Sequence, residues 1–187
     1  MNAIVKNIPN SITCLNLVSG LLAVAAAFQG NGPMWGLSGY QWCWIFIGIA
    51  AVADFLDGFA ARLLHAYSSL GKELDSLCDL VSFGVAPAML MFNCMMDTGF
   101  QSWTPWLAFI IPVCGALRLA KFNIDDRQTT SFIGLPIPAN AIFWIGYSAL
   151  AYYGTEFVCQ WYWFLLIVLV ESWLMISPVR FLSLIHI

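Results

Sequence analysis

Residues 54–80 read DFLDGFAARLLHAYSSLGKELDSLCDL and hold four aspartates, Asp54, Asp57, Asp75 and Asp79, separated by three, eighteen and four positions. Their setting is strongly apolar. Of the 187 residues, 61% are hydrophobic and only 9% charged, where a soluble domain carries roughly 25% charged residues. Nine Trp and fourteen Phe suit a membrane protein, in which aromatic side chains collect at the interfaces. The net charge of −3 gives no basis for a nucleic-acid partner. The cysteines Cys14, Cys43, Cys78, Cys94, Cys114 and Cys159 are scattered through apolar runs with no CxxC pair, so they read as small packing side chains. The opening MNAIVKNIPN has no small-residue cleavage site after its apolar run, and no removable signal peptide is expected.

Crossing the hydrocarbon core takes roughly 20 apolar residues in a helix. Six stretches meet this, approximately 11–28, 41–64, 72–96, 104–122, 133–153 and 158–177. The expected fold is therefore all-α, a polytopic membrane bundle of six helices in one domain over residues 1–181. Asn10 or Ser11, after Pro9, is expected to cap the first helix. Pro105 suits a first helical turn, and Pro136 and Pro138 should kink the fifth helix or delay its start. The basic residues Lys6, Arg62, Lys72, Arg118, Lys121, Arg127 and Arg180 all fall on one side of this span pattern. The positive-inside rule makes that side cytoplasmic. Both termini then lie inside, as an even number of spans requires.

Asp54 and Asp57 fall near the cytoplasmic end of the second span, and Asp75 and Asp79 in the first turns of the third. Positions three or four apart are neighbours on a helix surface, and the short connection makes the two helices antiparallel neighbours. Four carboxylates can thus converge just inside the membrane. One ionised aspartate at a helix centre costs about 2.5–3.5 kcal/mol on insertion scales, and four would also repel one another. A hard divalent cation relieves both problems, since Mg²⁺ is commonly held by carboxylates together with substrate phosphates. Glu73 points off the face shared by Asp75 and Asp79 and reads as a solvated acid. Gly58 and Ala61 leave the helix surface bare, Arg62 supplies a planar fork for phosphate oxygens, and Gly71 opens the third span where free N–H groups favour an anion. Metal-binding carboxylates beside a phosphate pocket make a phosphoryl-transfer centre, with one aspartate available to take a proton.

Written as Asp54-x2-Asp57-Gly58-x2-Ala61-Arg62-x8-Gly71-x3-Asp75-x3-Asp79, the stretch resembles the full signature of the CDP-alcohol phosphotransferase family. That resemblance implies two divalent cations, Mg²⁺ or Mn²⁺, on Asp54, Asp57, Asp75 and Asp79, with Asp79 also the general base. It implies a pocket for a CDP-linked lipid at Gly58, Ala61, Arg62 and Gly71, and a homodimer. Outside the signature, IPNSITCLNLVSG (8–20), GKELDSLCDLVSFGVAPA (71–88), CGALRLAKFN (114–123) and FIGLPIPANA (132–141) are similar to the bacterial integral-membrane branch that uses CDP-diacylglycerol and L-serine. The cytoplasmic membrane of a bacterium is the implied location. A serine carboxylate needs a positive partner, and Arg118, then Lys121, are the candidates; snorkelling to the interface is the competing explanation for both. Asn10, Thr13 and Asn16 could face the nucleotide or serve helix packing.

Two other functions compete. The same chemistry could use glycerol 3-phosphate or an inositol phosphate, which would call for more basic residues at the site. A cation or proton transporter would also use intramembrane carboxylates, but its site is expected near the midplane between repeats, and no repeat is visible here. The last six residues, Leu182 to Ile187 (LSLIHI), are expected to be a non-native tail. They are what the transposase adapter CTGTCTCTTATACACATC encodes in frame, and the related sequences continue past this point with further apolar residues. Long reads across the locus should show the frame continuing past Phe181 with different codons; a stop codon after Ile187 in genomic DNA would sink this reading.

Overall fold

The computed structural model describes residues 3–97, 103–124, 132–154, 160–177 and 180–181. The expected tail, Arg127 and Cys159 lie outside the described residues. Helix α1 (Ala3–Gln29) begins well before the expected cap and carries Pro9 in its interior. Asn10 and Ser11 are therefore helical residues and not caps. Hydroxyls on the following turn bond back to main-chain carbonyls, Ser11 Oγ to Asn7 O at 3.1 Å and Thr13 Oγ1 to Pro9 O at 3.0 Å.

Gly30, with φ +57°, ends α1 in the left-handed conformation that glycine tolerates. A tight connection then pairs Pro33–Met34 with Leu37–Ser38. Ser38 starts α2 (Gly39–Leu63) with a capping box: its Oγ accepts from Gln41 N at 3.3 Å, and its own N–H donates to Gln41 Oε1 at 2.9 Å. Small residues let α1 and α2 approach closely, as membrane helix pairs do. Ala23, Ala26, Ala27 and Ala50 are fully buried between the helices and their neighbours.

After a short connection, α3 (Ser69–Asp79) is capped by Ser68. The chain then continues unbroken through a π-helical segment (Leu80–Val85) into α4 (Ala86–Asp97). Together they form one span, Ser69–Asp97. A 3₁₀ turn (Thr104–Phe109), with Pro105 in its first positions, leads into α5 (Ile110–Ile124). Helix α6 (Ile137–Tyr152) starts late, because Pro136 caps it and Pro138 occupies its first turn. Helix α7 (Trp161–Ile176) closes the series. Gly134, at φ +80°, packs against the Met175 carbonyl, and Leu135 N donates to Leu174 O at 3.1 Å.

The architecture is an all-α membrane bundle, with large apolar side chains such as Leu15, Val52, Phe55, Val113 and Ile142 facing outward. Four helical stretches are long and apolar enough to cross, Asn7–Gln29, Gly39–Leu63, Ser69–Asp97 and Thr104–Ile124. α6 and α7 lie within the fifth and sixth expected spans but have 16 residues each. At 1.5 Å per residue they reach about 24 Å, short of a hydrocarbon core of roughly 30 Å. The count of six thus rests on the sequence pattern.

The π segment is gripped from α1. Ser82 Oγ donates to Asn16 O at 3.1 Å, and a Cβ added at Gly20 would press into the Ser82 side chain and backbone. Gly20→Val is expected to destabilise the fold by about 1–3 kcal/mol through overpacking. Gly48→Ala, where the added atom meets nothing within 4 Å, should be tolerated. Thermal unfolding of the detergent-solubilised protein checks both, and equal midpoints would refute this contact.

Candidate active site

The site is assembled at the join of α1, α2 and α3. The last turns of α2 carry Asp54 and Asp57, and α3 carries Asp75 and Asp79, so each pair shares a helix face. One oxygen from each of Asp54, Asp57 and Asp75 can be chosen so that the three lie within 4.8 Å of one another. Asp79 lies near enough to Asp54 for the two carboxylates to interact. Asp57 is 5% exposed, and its carboxylate meets the Gly58 N–H and the Thr13 hydroxyl. That hydroxyl has two acceptors in reach, Pro9 O and Asp57.

Two buried carboxylate oxygens, Asp57 Oδ2 and Asp75 Oδ1, have no hydrogen-bond partner. Buried ionised oxygens are costly unless paired or coordinated. Three oxygen donors with free lone pairs at this separation fit a hard divalent cation, which takes carboxylate oxygens and keeps positions for phosphate or water.

Beside the carboxylates opens a cavity of about 240 Å³. Asp57, Gly58, Ala61 and Arg62 line it from α2, Gly71, Lys72 and Asp75 from α3, and Pro9, Asn10 and Thr13 from α1. Ala66, Tyr67 and Ser68 of the connection complete the wall. Gly58 faces open space, so its missing side chain leaves the α2 backbone accessible from the cavity. Gly71 differs from expectation. Its N–H already donates to Ser68 Oγ at 3.0 Å, because a serine before the helix satisfies the first free amides. What the glycine provides is clearance, since a Cβ there would stand 3.0 Å from both Asn10 Oδ1 and Ser68 Oγ.

Arg118, on α5, is 8% exposed, with a buried Nε that has no partner. It lies near enough to Asp79 for their charges to interact and does not line the cavity. Lys121 is exposed at the end of α5, with Nζ 3.5 Å from Ile176 O. It is not part of the cavity wall.

The polar stripe of α1 divides between two tasks. Asn10 and Thr13 line the cavity, whereas Asn16 is fully buried and donates from Nδ2 to Asp79 Oδ1 at 3.2 Å. Spacing alone puts these residues on one face; it does not say which carboxylate each one meets. Asn123 bridges α5 to α3, with Nδ2 donating to Ser76 Oγ at 2.9 Å and its main-chain oxygen accepting from Lys72 Nζ at 3.1 Å. Tyr67, Ser68 and Lys72 carried no sequence signal for the cavity, because their places depend on how the connection folds back.

Comparison with known proteins gives the family. The family model for CDP-alcohol phosphatidyltransferase matches residues 6–179, and the chain belongs to that family. Proteins named CDP-diacylglycerol–serine O-phosphatidyltransferase are among its relatives. The Mycobacterium leprae protein is 38% identical over 168 residues, covering 82% of this chain and 53% of its own length. The Bacillus subtilis protein is 41% identical over 135 residues (70% of this chain, 69% of its own). The Methanocaldococcus jannaschii protein is 40% identical over 144 residues (76% and 61%). The match thus spans between about half and two thirds of these relatives.

Asp57→Asn is expected to weaken Mn²⁺ binding by roughly tenfold or more, as loss of a charged ligand should. Asp97→Asn should leave it unchanged, since Asp97 instead accepts from Tyr40 OH at 2.6 Å. Titration of free Mn²⁺ by electron paramagnetic resonance distinguishes the two, and equal affinities would refute the assignment.

Proposed function

We propose that the chain transfers the phosphatidyl group of CDP-diacylglycerol to L-serine, giving phosphatidylserine and CMP. The observation that carries this reading is the convergence of Asp54, Asp57 and Asp75, the last two on the wall of a cavity flanked by Arg62 and Lys72. Family membership and the names of the relatives support the choice of substrates.

Asp54, Asp57, Asp75 and Asp79 would hold two divalent cations, Mg²⁺ or Mn²⁺. When bound, such ions neutralise charge on a pyrophosphate and polarise its P–O bonds. Gly58, Ala61, Arg62 and Gly71 receive the CDP group. The open face at Gly58 admits phosphate close to α2, and the Arg62 guanidinium offers paired donors to its oxygens. Asp79 accepts the serine hydroxyl proton on a carboxylate oxygen. The hydroxyl oxygen bonds to the phosphorus that bears the diacylglycerol, the bond from that phosphorus to the bridging oxygen breaks, and CMP leaves with that oxygen.

Arg118 is the partner for the serine carboxylate, because a buried guanidinium with an unpaired Nε gains most from an anion. Lys121, exposed and close to the end of α7, is the second choice. The gathering of basic residues on one side of the span pattern supports both termini and the site being cytoplasmic, and the resemblance supplies a bacterial inner membrane as the location. A homodimer belongs to the same reading on family grounds.

The test is CMP release from inside-out bacterial membrane vesicles, with CDP-diacylglycerol, Mn²⁺ and either serine, glycerol 3-phosphate or an inositol phosphate. Serine-dependent release, lowered roughly 10²–10⁴-fold by Asp79→Asn as for loss of a general base, is the expected result. Release with another acceptor alone would replace the substrate, and release with none would overturn the reaction.

A further inference from the structure

We propose that Asn16 is a positioning residue for Asp79, holding one of its carboxylate oxygens so that the other is presented to the reacting groups. The inference rests on the proposed role of Asp79. Asn16 has no exposed surface, and its Nδ2 donates to Asp79 Oδ1 at 3.2 Å. Its own Oδ1 is buried without a partner. A buried amide oxygen left unpaired is costly, whereas an apolar side chain of similar shape would fill the space without that cost. What the asparagine supplies, and a leucine could not, is the N–H donated to Asp79.

Asp79 also needs an external reference. It is the last residue of α3, and the next turn is the π segment Leu80–Val85. Within a uniform α-helix, the regular turn fixes where a side chain points. At a change of helix type it fixes less. Asn16 bridges the change: its side chain holds Asp79, and its main-chain oxygen accepts from Ser82 Oγ at 3.1 Å. Thr13, one turn earlier on α1, meets Asp57 in the same way. Groups that orient a ligand or a base from behind commonly change metal affinity or activity by roughly 10–100-fold when removed.

The test compares Asn16→Leu, which removes the donor, and Asn16→Asp, which keeps the shape but replaces the donor with an acceptor. Ser11→Ala, on the exposed side of the same helix, is the control. Mn²⁺ affinity is read by electron paramagnetic resonance, and kcat and both KM values by CMP release. Both variants should lose roughly 10–100-fold in Mn²⁺ affinity and in kcat, with KM for CDP-diacylglycerol within about twofold of the parent. A merely structural role would instead lower the thermal midpoint without that split. If Asn16→Leu does not fold, the isosteric Asn16→Asp carries the test. Parental Mn²⁺ affinity and kcat in a folded variant would overturn the inference. If the parent binds Mn²⁺ in an Asn16-dependent way but releases no CMP with serine, the proposed reaction fails and the positioning role stands.

Discussion

Carboxylates brought together in an apolar bundle lose hydration and repel one another, and nothing else among the described residues is as costly to accommodate. The surrounding structure can be read as the set of conditions under which that arrangement persists. Two helices must be antiparallel and joined closely enough for Asp54 and Asp57 to face Asp75. A third must approach without bulk. The alanines of α1 and α2 meet that requirement, and the polar stripe of α1 arrives at the carboxylates with Thr13 and Asn16. The oxygens still unpartnered, on Asp57 and Asp75, mark where the protein alone does not complete the balance.

The helices divide the work unevenly. α1, α2, α3 and the connection after α2 build the cavity, while α5 brings Arg118 to Asp79. The carboxylates therefore stand between two positively charged surroundings. One is a cavity edged by Arg62 and Lys72, suited to a pyrophosphate; the other is a buried guanidinium suited to a small anion. α6 and α7 support this from behind, with Trp144 and Phe164 in edge-to-face contact at 5.9 Å.

Much of this was legible in the sequence, and for one reason. Spacings of three and four mean the same thing in every helix, so Asp54 with Asp57, and Asp75 with Asp79, share faces whatever the rest of the chain does. Prolines were legible where they could only begin a helix, as Pro105, Pro136 and Pro138 do, but not at Pro9, through which α1 continues. Side-chain competition was also invisible. Gly71 reads as an open amide until Ser68 is found on it, and Asn16 stays undecided between nucleotide and helix packing until the depth of α1 against α3 is known. The lengths of α6 and α7 depend on connections whose apolar composition does not distinguish helix from loop.

The π segment after Asp79 has a consequence for how this span can change. A wide turn holds an extra residue, so it acts as a phase shift built into a single rod. Above it, the rod is clocked to the carboxylates; below it, to the core through Leu90, Met91 and Met95. Because the shift lies between them, the two halves answer to different demands while remaining one continuous span. Forcing Leu80–Val85 into uniform α-helix with all its residues kept would turn one half by about 100° against the other, as one residue does in a helix of 3.6 residues per turn. Such a chain could keep its core or its carboxylate face in register, but not both.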